Sequence, residues 1–251
     1  DNEECKLVQL KHTVDSTELY EQEYGYRSGI NQTMKDHLEC LVRSIEEEET
    51  LNDGDIVLDI GSNDATMLKF YKNENLKRIG IDPTGSQFLK YYEDTNIKLY
   101  PTYFKSGIFE GKAKVITSIS MFYDLEDPNG FCKDINSLLS EDGLWISEFS
   151  YFPLLLKNLT YDQICHEHVA YYTLSTFQKI ANQNGLKVID ISFNDINGGT
   201  IEVTCAKEKS EHKQNTKLIS ETLEDEKNID NHAYNCLLYT SDAADDLLCV
   251  D

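Results

Sequence analysis

Two kinds of hydrophobic pattern alternate along the first 150 residues. Between residues 32 and 49 apolar residues recur at helical spacing, at Met34, Leu38, Leu41, Val42 and Ile45. This spacing predicts an amphipathic helix. Short continuous apolar runs follow near residues 56, 78, 97, 114 and 143, and such runs are typical of buried parallel strands. With helices predicted over 65–73, 86–93 and 130–139, the alternation predicts an α/β fold with a doubly wound parallel sheet.

The pattern changes after residue 149. Residues 152–159 are apolar and aromatic, and residues 175–184 predict a helix. Two strands, 187–191 and 200–206, are predicted around the turn Asn197-Gly-Gly199, and residues 212–226 indicate another helix. Residues 236–251 have neither caps nor a period and resemble a translated sequencing adapter, so they are excluded from the prediction of fold and site.

Composition and charge limit the classes of molecule that the protein is expected to bind. Apolar residues make up 40% of the chain and charged residues 27%, which is ordinary for a globular protein. The net charge of −22 argues against nucleic acid or an anionic membrane as the main partner. The seven cysteines include no CxxC pair, so no disulfide framework or complete zinc knuckle is predicted, and a reducing cytoplasm is the expected location.

The strongest chemical motif is the run Asp59-Ile-Gly-Ser-Asn-Asp64, where a strand ends in an acid and a turn containing Gly61. Ligands of open parallel sheets bind at such strand ends. A single glycine disfavours a dinucleotide, because a pyrophosphate needs several close backbone approaches. Asp82 follows the next strand and is placed to accept hydrogen bonds from ribose hydroxyls. Together these features favour an adenosine-type ligand without a pyrophosphate, such as S-adenosylmethionine; a capped strand–turn–helix without a ligand is the alternative.

Three further motifs have chemical interpretations. In Cys165-His-Glu-His168 a carboxylate beside two imidazoles suits a general base, with a metal site or a purely structural role as alternatives. The run Tyr24-Gly-Tyr-Arg-Ser28 could hold a sulfonium on aromatic faces or a phosphate on its arginine, or could simply pack. The Asn197-Gly-Gly199 turn is either a plain hairpin or a substrate-facing loop.

In this order along the chain, these motifs resemble those of the sugar C-methyltransferase family. Further matching stretches are Gly80-Ile-Asp-Pro83, Met121-Phe-Tyr-Asp-Leu-Glu-Asp-Pro128 and residues 148–151. The likeness extends from Cys5 to Tyr234. The family's enzymes use S-adenosylmethionine to methylate nucleotide-linked 4-keto-deoxysugars, and they combine a zinc-binding module, a class I, Rossmann-like methyltransferase domain and a C-terminal α/β domain.

The resemblance implies a division of the chain. Residues 1–31 would be the end of the zinc-binding module and a linker, 32–150 the methyltransferase domain, 151–235 the beginning of the C-terminal substrate domain, and 236–251 a non-native tail. The chain would therefore lack parts of both outer domains. Cys5 would be a zinc ligand only in an intact module, because Asn2 stands where its CxxC partner is expected.

The resemblance also implies roles for individual residues. His168 would be the base, supported by Glu167, and His166 or Tyr172 would donate to the enolate oxygen. Cys165 stands where some members have an assisting tyrosine. The implied cofactor residues are Tyr26, Ser28, Asp59, Gly61, Ser62, Asn63, Asp82, Pro83, Met121 and Phe122. The implied substrate residues are Tyr24, Glu148, Tyr151, Cys165, Tyr172 and Asn197.

The expected ligands are thus S-adenosylmethionine and a nucleotide sugar. Ala65 stands where glycine is common, and it is expected to be tolerated if its φ is negative. An O- or N-methyltransferase of a small metabolite, an NAD-dependent oxidoreductase and an inactive binding fragment are the rival interpretations. The sequence does not identify the sugar or the oligomeric state.

Overall fold

The computed structural model describes residues 6–15, 19–20 and 24–229. Its strands are β1 (Val8–Gln9), β2 (Ile56–Ile60), β3 (Lys77–Ile81), β4 (Ile97–Tyr100), β5 (Ala113–Ile119), β6 (Leu139–Ser150), β7 (Ala170–Tyr171), β8 (Leu186–Asn194) and β9 (Thr200–Lys207). Its α-helices are α1 (Gln32–Glu48), α2 (Pro128–Leu138), α3 (Phe152–Asn158), α4 (Leu174–Gln183) and α5 (Thr216–Asp225).

A seven-stranded sheet in the order β4-β3-β2-β5-β6-β9-β8 forms the centre of the fold. The first five of these strands pair in parallel, and β9 runs antiparallel to both β6 and β8. The α/β class and the mostly parallel, Rossmann-like sheet predicted from the sequence are therefore confirmed. The two strands of this sheet that follow β6 in the chain, β8 and β9, are antiparallel to each other because a short hairpin joins them.

The division into two domains at residue 150 does not match the sheet. β9 pairs with β6 from Leu144↔Ala206 to Ser150↔Thr200, so the strands assigned to a second domain complete the sheet of the first. Without β9 the long strand β6 would present an unpaired edge. The described part of the predicted second domain, up to residue 229, is thus joined to the same sheet. The predicted tail 236–251 and Cys5 lie outside the described residues.

Two predicted helices are shorter and tighter than expected. Of residues 65–73 only Leu68–Phe70 is helical, and it is a 3-10 turn. The Asp64 carboxylate accepts a hydrogen bond from the backbone N–H of Thr66, which competes with helical hydrogen bonding. Ala65 has a positive φ of 60°, so the condition on which its tolerance was expected does not hold. The helix predicted over 86–93 is a 3-10 helix, Gly85–Tyr91, since so short a segment gains little from α-helix propagation.

Aromatic side chains fill the core on one face of the sheet. Phe122 is fully buried, and its ring lies 5.0 Å from those of Tyr172 and Phe177 and 5.8 Å from that of Trp145. Phe122, which was predicted to line the cofactor site, thus lies in this core and not among the residues that line the cavity. The 3-10 turn Phe122–Asp124 after β5 directs this ring into the core and leaves Met121 at the cavity.

No helix among the described residues has both the length and the apolar character needed to cross a membrane.

Phe122→Ala tests this assignment to the core. Deleting a buried phenylalanine ring costs about 3–5 kcal/mol of unfolding free energy, from lost burial and the cavity that remains. Chemical denaturation measures the loss. Leu89→Ala is the control, because Leu89 is 52% exposed and its truncation should change stability by about 0.5 kcal/mol or less. Equal, small effects in both variants would contradict the buried position of Phe122.

Candidate active site

A cavity of about 280 Å³ opens at the carboxyl ends of β2, β3 and β5. Parallel pairing brings these ends together, with Ile60 opposite Ile81 on one side and Ser118 on the other. All the predicted cofactor residues except Phe122 line the cavity: Tyr26, Ser28, Asp59, Gly61, Ser62, Asn63, Asp82, Pro83 and Met121. Tyr24, predicted for the substrate, lines it too.

The turn after β2 approaches the cavity with its backbone. Gly61 has a φ of +77°, a conformation that strains any residue with a Cβ, and Asn63 and Ala65 follow with φ of 48° and 60°. The N–H of Gly61 donates to the carbonyl of Ile81 at 2.8 Å, which ties the turn to the end of β3. The predicted importance of Gly61 thus has a conformational cause.

Asp82 is a buried carboxylate that supports this turn from the end of β3. One oxygen accepts from the N–H of Asn63 at 2.8 Å, and the other accepts from the N–H and hydroxyl of Thr84 at 2.7 and 2.6 Å. A carboxylate has about four lone-pair sites, so Asp82 can accept one further hydrogen bond, on Oδ2, from a ligand in the cavity. Asp82 therefore combines a structural and a binding role.

Asp59 is a second buried acid of the cavity, at the end of β2. The Thr117 hydroxyl donates to its Oδ1 at 2.7 Å. Its pKa is raised to about 7, first by burial and then by the negative charge of Asp82, against the lowering effect of the Thr117 hydrogen bond. Asp59 is thus near half-ionised at neutral pH.

One wall of the cavity comes from the segment that precedes α1. The Asn63 side chain donates to the carbonyl of Tyr26 and accepts from the N–H of Ser28, both at 3.1 Å. Asp64 accepts from the N–H of Gly29 at 3.2 Å and lies 3.5 Å from the Arg27 guanidinium. Asn63 and Asp64 therefore position Tyr26 and Ser28 with their side chains.

The end of the cavity beside the turn after β5 contains Tyr20, Tyr24 and Asp124. The Tyr20 hydroxyl is hydrogen-bonded to the Asp124 side chain. The pKa of Asp124 is raised to about 8, mainly by burial, while His168 and the Tyr20 hydrogen bond lower it. Burial raises the pKa of Tyr20 and Tyr24 as well.

His168 lies next to this end, with its ring centroid 4.2 Å from that of Tyr123. Its Nδ1 is 2.8 Å from the carbonyl oxygen of Gln163. Because a carbonyl oxygen only accepts, Nδ1 carries the hydrogen and Nε2 of the neutral ring keeps its lone pair. This is the tautomer that a base acting through Nε2 requires.

The other predicted catalytic residues are less enclosed. His166 and Glu167 are exposed and Cys165 is half-buried. Glu167 raises the pKa of Tyr24 by its charge, which places it in electrostatic contact with the end of the cavity.

Three residues predicted to bind substrate lie away from the cavity. Tyr172 is fully buried in the aromatic core. Glu148 is fully buried as well, with Oε2 2.8 Å from His37 Nε2 and accepting from the Asn194 amide at 2.8 Å. The Tyr151 hydroxyl donates to Glu226 at 2.7 Å. None of the three is among the residues that line the cavity, since Tyr172 packs in the core and Glu148 and Tyr151 bond to other side chains.

Asn197, which was predicted to bind substrate, lies at the rim of the cavity. Its φ is +51°, and its amide nitrogen lies 3.5 Å from the hydroxyl of Ser120, which lines the cavity. The loop is thus at the rim of the cavity, in keeping with either a hairpin turn or a substrate-facing loop.

Asp124 and Tyr20 are among the cavity residues that were not predicted from the sequence. Asp124 could have been found, because it lies in the turn that follows strand β5, where ligands of such sheets bind. Tyr20 has no such signal, since it lies in a segment without periodicity. Within the described part of the chain no three His, Cys, Asp or Glu side chains are grouped so as to hold a metal, and the predicted zinc ligand Cys5 is not among those residues.

A sequence profile described as a methyltransferase domain matches residues 30–191. The chain belongs to this methyltransferase domain family. The match crosses residue 150, as the continuous sheet does. The predictions of an enzyme, a transferase and a class I S-adenosylmethionine-dependent methyltransferase domain are confirmed at this level.

A curated protein and several solved structures are similar to this methyltransferase. The C-methyltransferase NovU of Streptomyces niveus is 28% identical over 214 residues, which are 83% of this chain and 50% of NovU. The chain thus spans about half the length of the curated relative it matches. Among solved structures, a Haloferax volcanii methyltransferase in complex with the Trm112 activator has a TM-score of 0.59 at 14% identity, covering 71% of this chain and 94% of its own.

Another structural neighbour was solved with a cofactor product. Magnesium protoporphyrin IX methyltransferase of Synechocystis, with bound S-adenosylhomocysteine, has a TM-score of 0.53 at 11% identity and covers 71% of this chain and 88% of its own. At such identities these structures support the fold of the methyltransferase.

Asp59 makes the free energy of unfolding depend on pH. Its folded-state pKa lies above the unfolded value, so its contribution is fully present below about pH 4 and is lost as the pH rises through about 7, by at most about 4 kcal/mol. Asp59→Asn cannot ionise but keeps an oxygen for Thr117. Urea unfolding over this range should show a smaller loss for Asp59→Asn than for the parent, and the exposed Asp94→Asn should retain the parent's slope. Identical slopes in all three proteins would contradict the raised pKa.

Asp82→Ala should weaken the binding of S-adenosylmethionine by about 1.5–3 kcal/mol, because hydrogen bonds to a charged acceptor are lost. Titration calorimetry measures the change. Thr84→Val is the matched control: it removes a donor to the same carboxylate and leaves the carboxylate in place, so its effect should be below about 1 kcal/mol. Unchanged affinity in a folded Asp82→Ala variant would remove Asp82 from the cofactor site.

Proposed function

We propose that the chain is the methyltransferase domain of a C-methyltransferase that acts on a nucleotide-linked 4-keto-deoxysugar. The observation that carries the proposal is His168, whose Nδ1–H is held by the Gln163 carbonyl at 2.8 Å so that Nε2 is available as a base. His168 acts electrostatically on Asp124, a residue of the cavity lining. A base at that point is what removal of a carbon-bound proton requires. The 28% identity to a C-methyltransferase over most of the chain supports transfer to carbon.

The residues at the β2 and β3 ends fit S-adenosylmethionine. Asp82 retains one lone-pair site, on Oδ2, for a ribose hydroxyl, as an acid at this strand end does in nucleotide-binding sheets. Asp59 offers a carboxylate that a cationic amino group would keep ionised, and Met121 gives an apolar surface. When bound, the cofactor supplies an electrophilic methyl group on a sulfonium.

The roles of the chain's residues in the reaction follow from the acidity of the C3 proton of the substrate. A ketone at C4 acidifies the C3 proton, because the electron pair released at C3 spreads onto the carbonyl oxygen. His168 Nε2 takes this proton, and Gln163 holds the other ring nitrogen so that the ring keeps its orientation. The electron pair at C3 would then form the bond to the methyl group as the bond from that group to the sulfonium sulfur breaks and leaves its electron pair on sulfur. The proton passes from His168 to solvent.

The end of the cavity that remains for the substrate carries polar and aromatic groups. Tyr20, Tyr24 and Asp124 line it, and the Asn197 loop lies at its rim beside Ser120. Aromatic faces and hydroxyls of this kind suit a deoxysugar ring, which has both apolar and polar surfaces.

The test is deuterium exchange at C3 of a 4-keto sugar nucleotide in D2O without cofactor, which separates proton removal from methyl transfer. His168→Asn should slow exchange by about 10²–10⁴-fold, the usual contribution of a general base. Its affinity for S-adenosylmethionine should stay at the parent's value, because His168 does not line the cofactor end.

His212→Asn is the matched control, since His212 contacts Asp142 and Glu49 far from the cavity. Exchange at the parent's rate in His168→Asn would exclude His168 as the base and leave Glu167 or His166 to act. A parent that exchanges no deuterium but methylates a hydroxyl would overturn the proposal in favour of an O-methyltransferase.

A further inference from the structure

Enolate formation needs a hydrogen-bond donor at the carbonyl oxygen as well as a base at the carbon. Neither of the residues predicted to donate this hydrogen bond, Tyr172 and His166, is placed to do so. Tyr172 is fully buried in the aromatic core, and His166 is exposed to solvent. The donor has to be sought among the groups that line the cavity near His168.

Asp124 is such a group. Its side chain lines the cavity at the end that holds Tyr20 and Tyr24, and it interacts electrostatically with His168. Its Oδ1 is buried and has no hydrogen-bond partner among the described residues. Tyr20 donates a hydrogen bond to the carboxyl group. A buried carboxyl oxygen without a donor is costly when charged, so this environment favours the neutral acid.

The charges around Asp124 act in both directions, since His168 lowers its pKa and Glu167 and Cys165 raise it. The titratable groups that act on it or that it acts on are Tyr20, Tyr24, Tyr123, Cys165, Glu167 and His168. No lysine or arginine is among them, and burial together with Glu167 raises the pKa of Asp124 to about 8. At neutral pH the carboxyl group is therefore mostly protonated, and it offers an O–H inside the cavity.

We propose that Asp124, as a neutral acid, donates a hydrogen bond to the carbonyl oxygen of the substrate while His168 removes the proton from the neighbouring carbon. The inference rests on the proposed function. The C–H bond breaks and its electron pair forms the C3=C4 bond, the proton goes to Nε2 of His168, and the negative charge on the oxygen is met by the Asp124 O–H. As C3 gains the methyl group the C4 carbonyl re-forms and Asp124 retains its proton.

The experiment compares Asp124→Asn with Asp124→Ala in the C3 deuterium exchange assay, over a pH range that spans about 8. An asparagine amide keeps a donor to the carbonyl oxygen and an oxygen for Tyr20, but it does not titrate. Asp124→Ala removes the donor and should slow exchange by about 10²–10³-fold, as loss of one oxyanion donor does. The parent's exchange should fall above about pH 8 as Asp124 ionises, and Asp124→Asn should lose this alkaline decline while keeping at least about a tenth of the parent's rate.

Asp94→Asn is the control, because Asp94 is exposed and its positive φ suits asparagine equally well. Equal loss in Asp124→Asn and Asp124→Ala, or an alkaline decline that persists in Asp124→Asn, overturns the role of Asp124 and leaves that of His168 intact. Absence of exchange in the parent overturns the proposed function and this inference together.

A second measurement needs no substrate. The infrared difference spectrum between the parent and Asp124→Asn should contain the C=O stretch of a protonated carboxyl at neutral pH, replaced by carboxylate bands above about pH 8. Carboxylate bands at neutral pH would show an ionised Asp124, which cannot donate, and would overturn the inference even if exchange is slowed.

Discussion

The parallel pairing of β2 with β3 and β5 is the constraint on which the site depends. It brings Gly61, Asp82 and Ser120 to one edge of the sheet, although they are separated by up to 59 residues in the chain. Hydrogen bonds between the loops at this edge hold the loops in fixed positions relative to each other. The hydrogen bond from the Asn63 N–H to Asp82 joins the two most important of them, so that the residue best suited to bind ribose also holds the turn that approaches the ligand.

Buried carboxyl groups give the site its chemical character. Asp59, Asp124 and Glu202 all have pKa values raised to between about 7 and about 8, because burial is not balanced by neighbouring cations. Glu148, equally buried, has His37 and Asn194 as partners instead. A buried acid with partners of this kind links secondary-structure elements to each other. Asp59 and Asp124 line the cavity instead, where they are available to a ligand. Two protonatable acids that line one cavity, one at the end of β2 and one after β5, are suited to two different tasks.

The cavity also depends on parts of the chain outside the parallel strands. Asn63 and Asp64 hold the segment before α1 against the turn after β2 by four backbone and side-chain contacts. At the other end, the hairpin of β8 and β9 covers the edge of β6 and brings the Asn197 loop to Ser120. Both walls are therefore positioned by hydrogen bonds across large sequence distances.

The sequence by itself determined the strands of the parallel sheet, the amphipathic helix α1 and the acids at the strand ends, because each of these is encoded in a local run with a clear period or a turn residue. Nine of the ten residues that it predicts for the cofactor line one cavity. Only the tertiary structure decided that β8 and β9 complete the first sheet, that Phe122 and Tyr172 face the core, and that Glu148 and Tyr151 bind other side chains. These outcomes depend on which neighbour a side chain meets across the fold, and residues such as Asp124 and His168 come together only when distant segments pack; no local pattern contains that information.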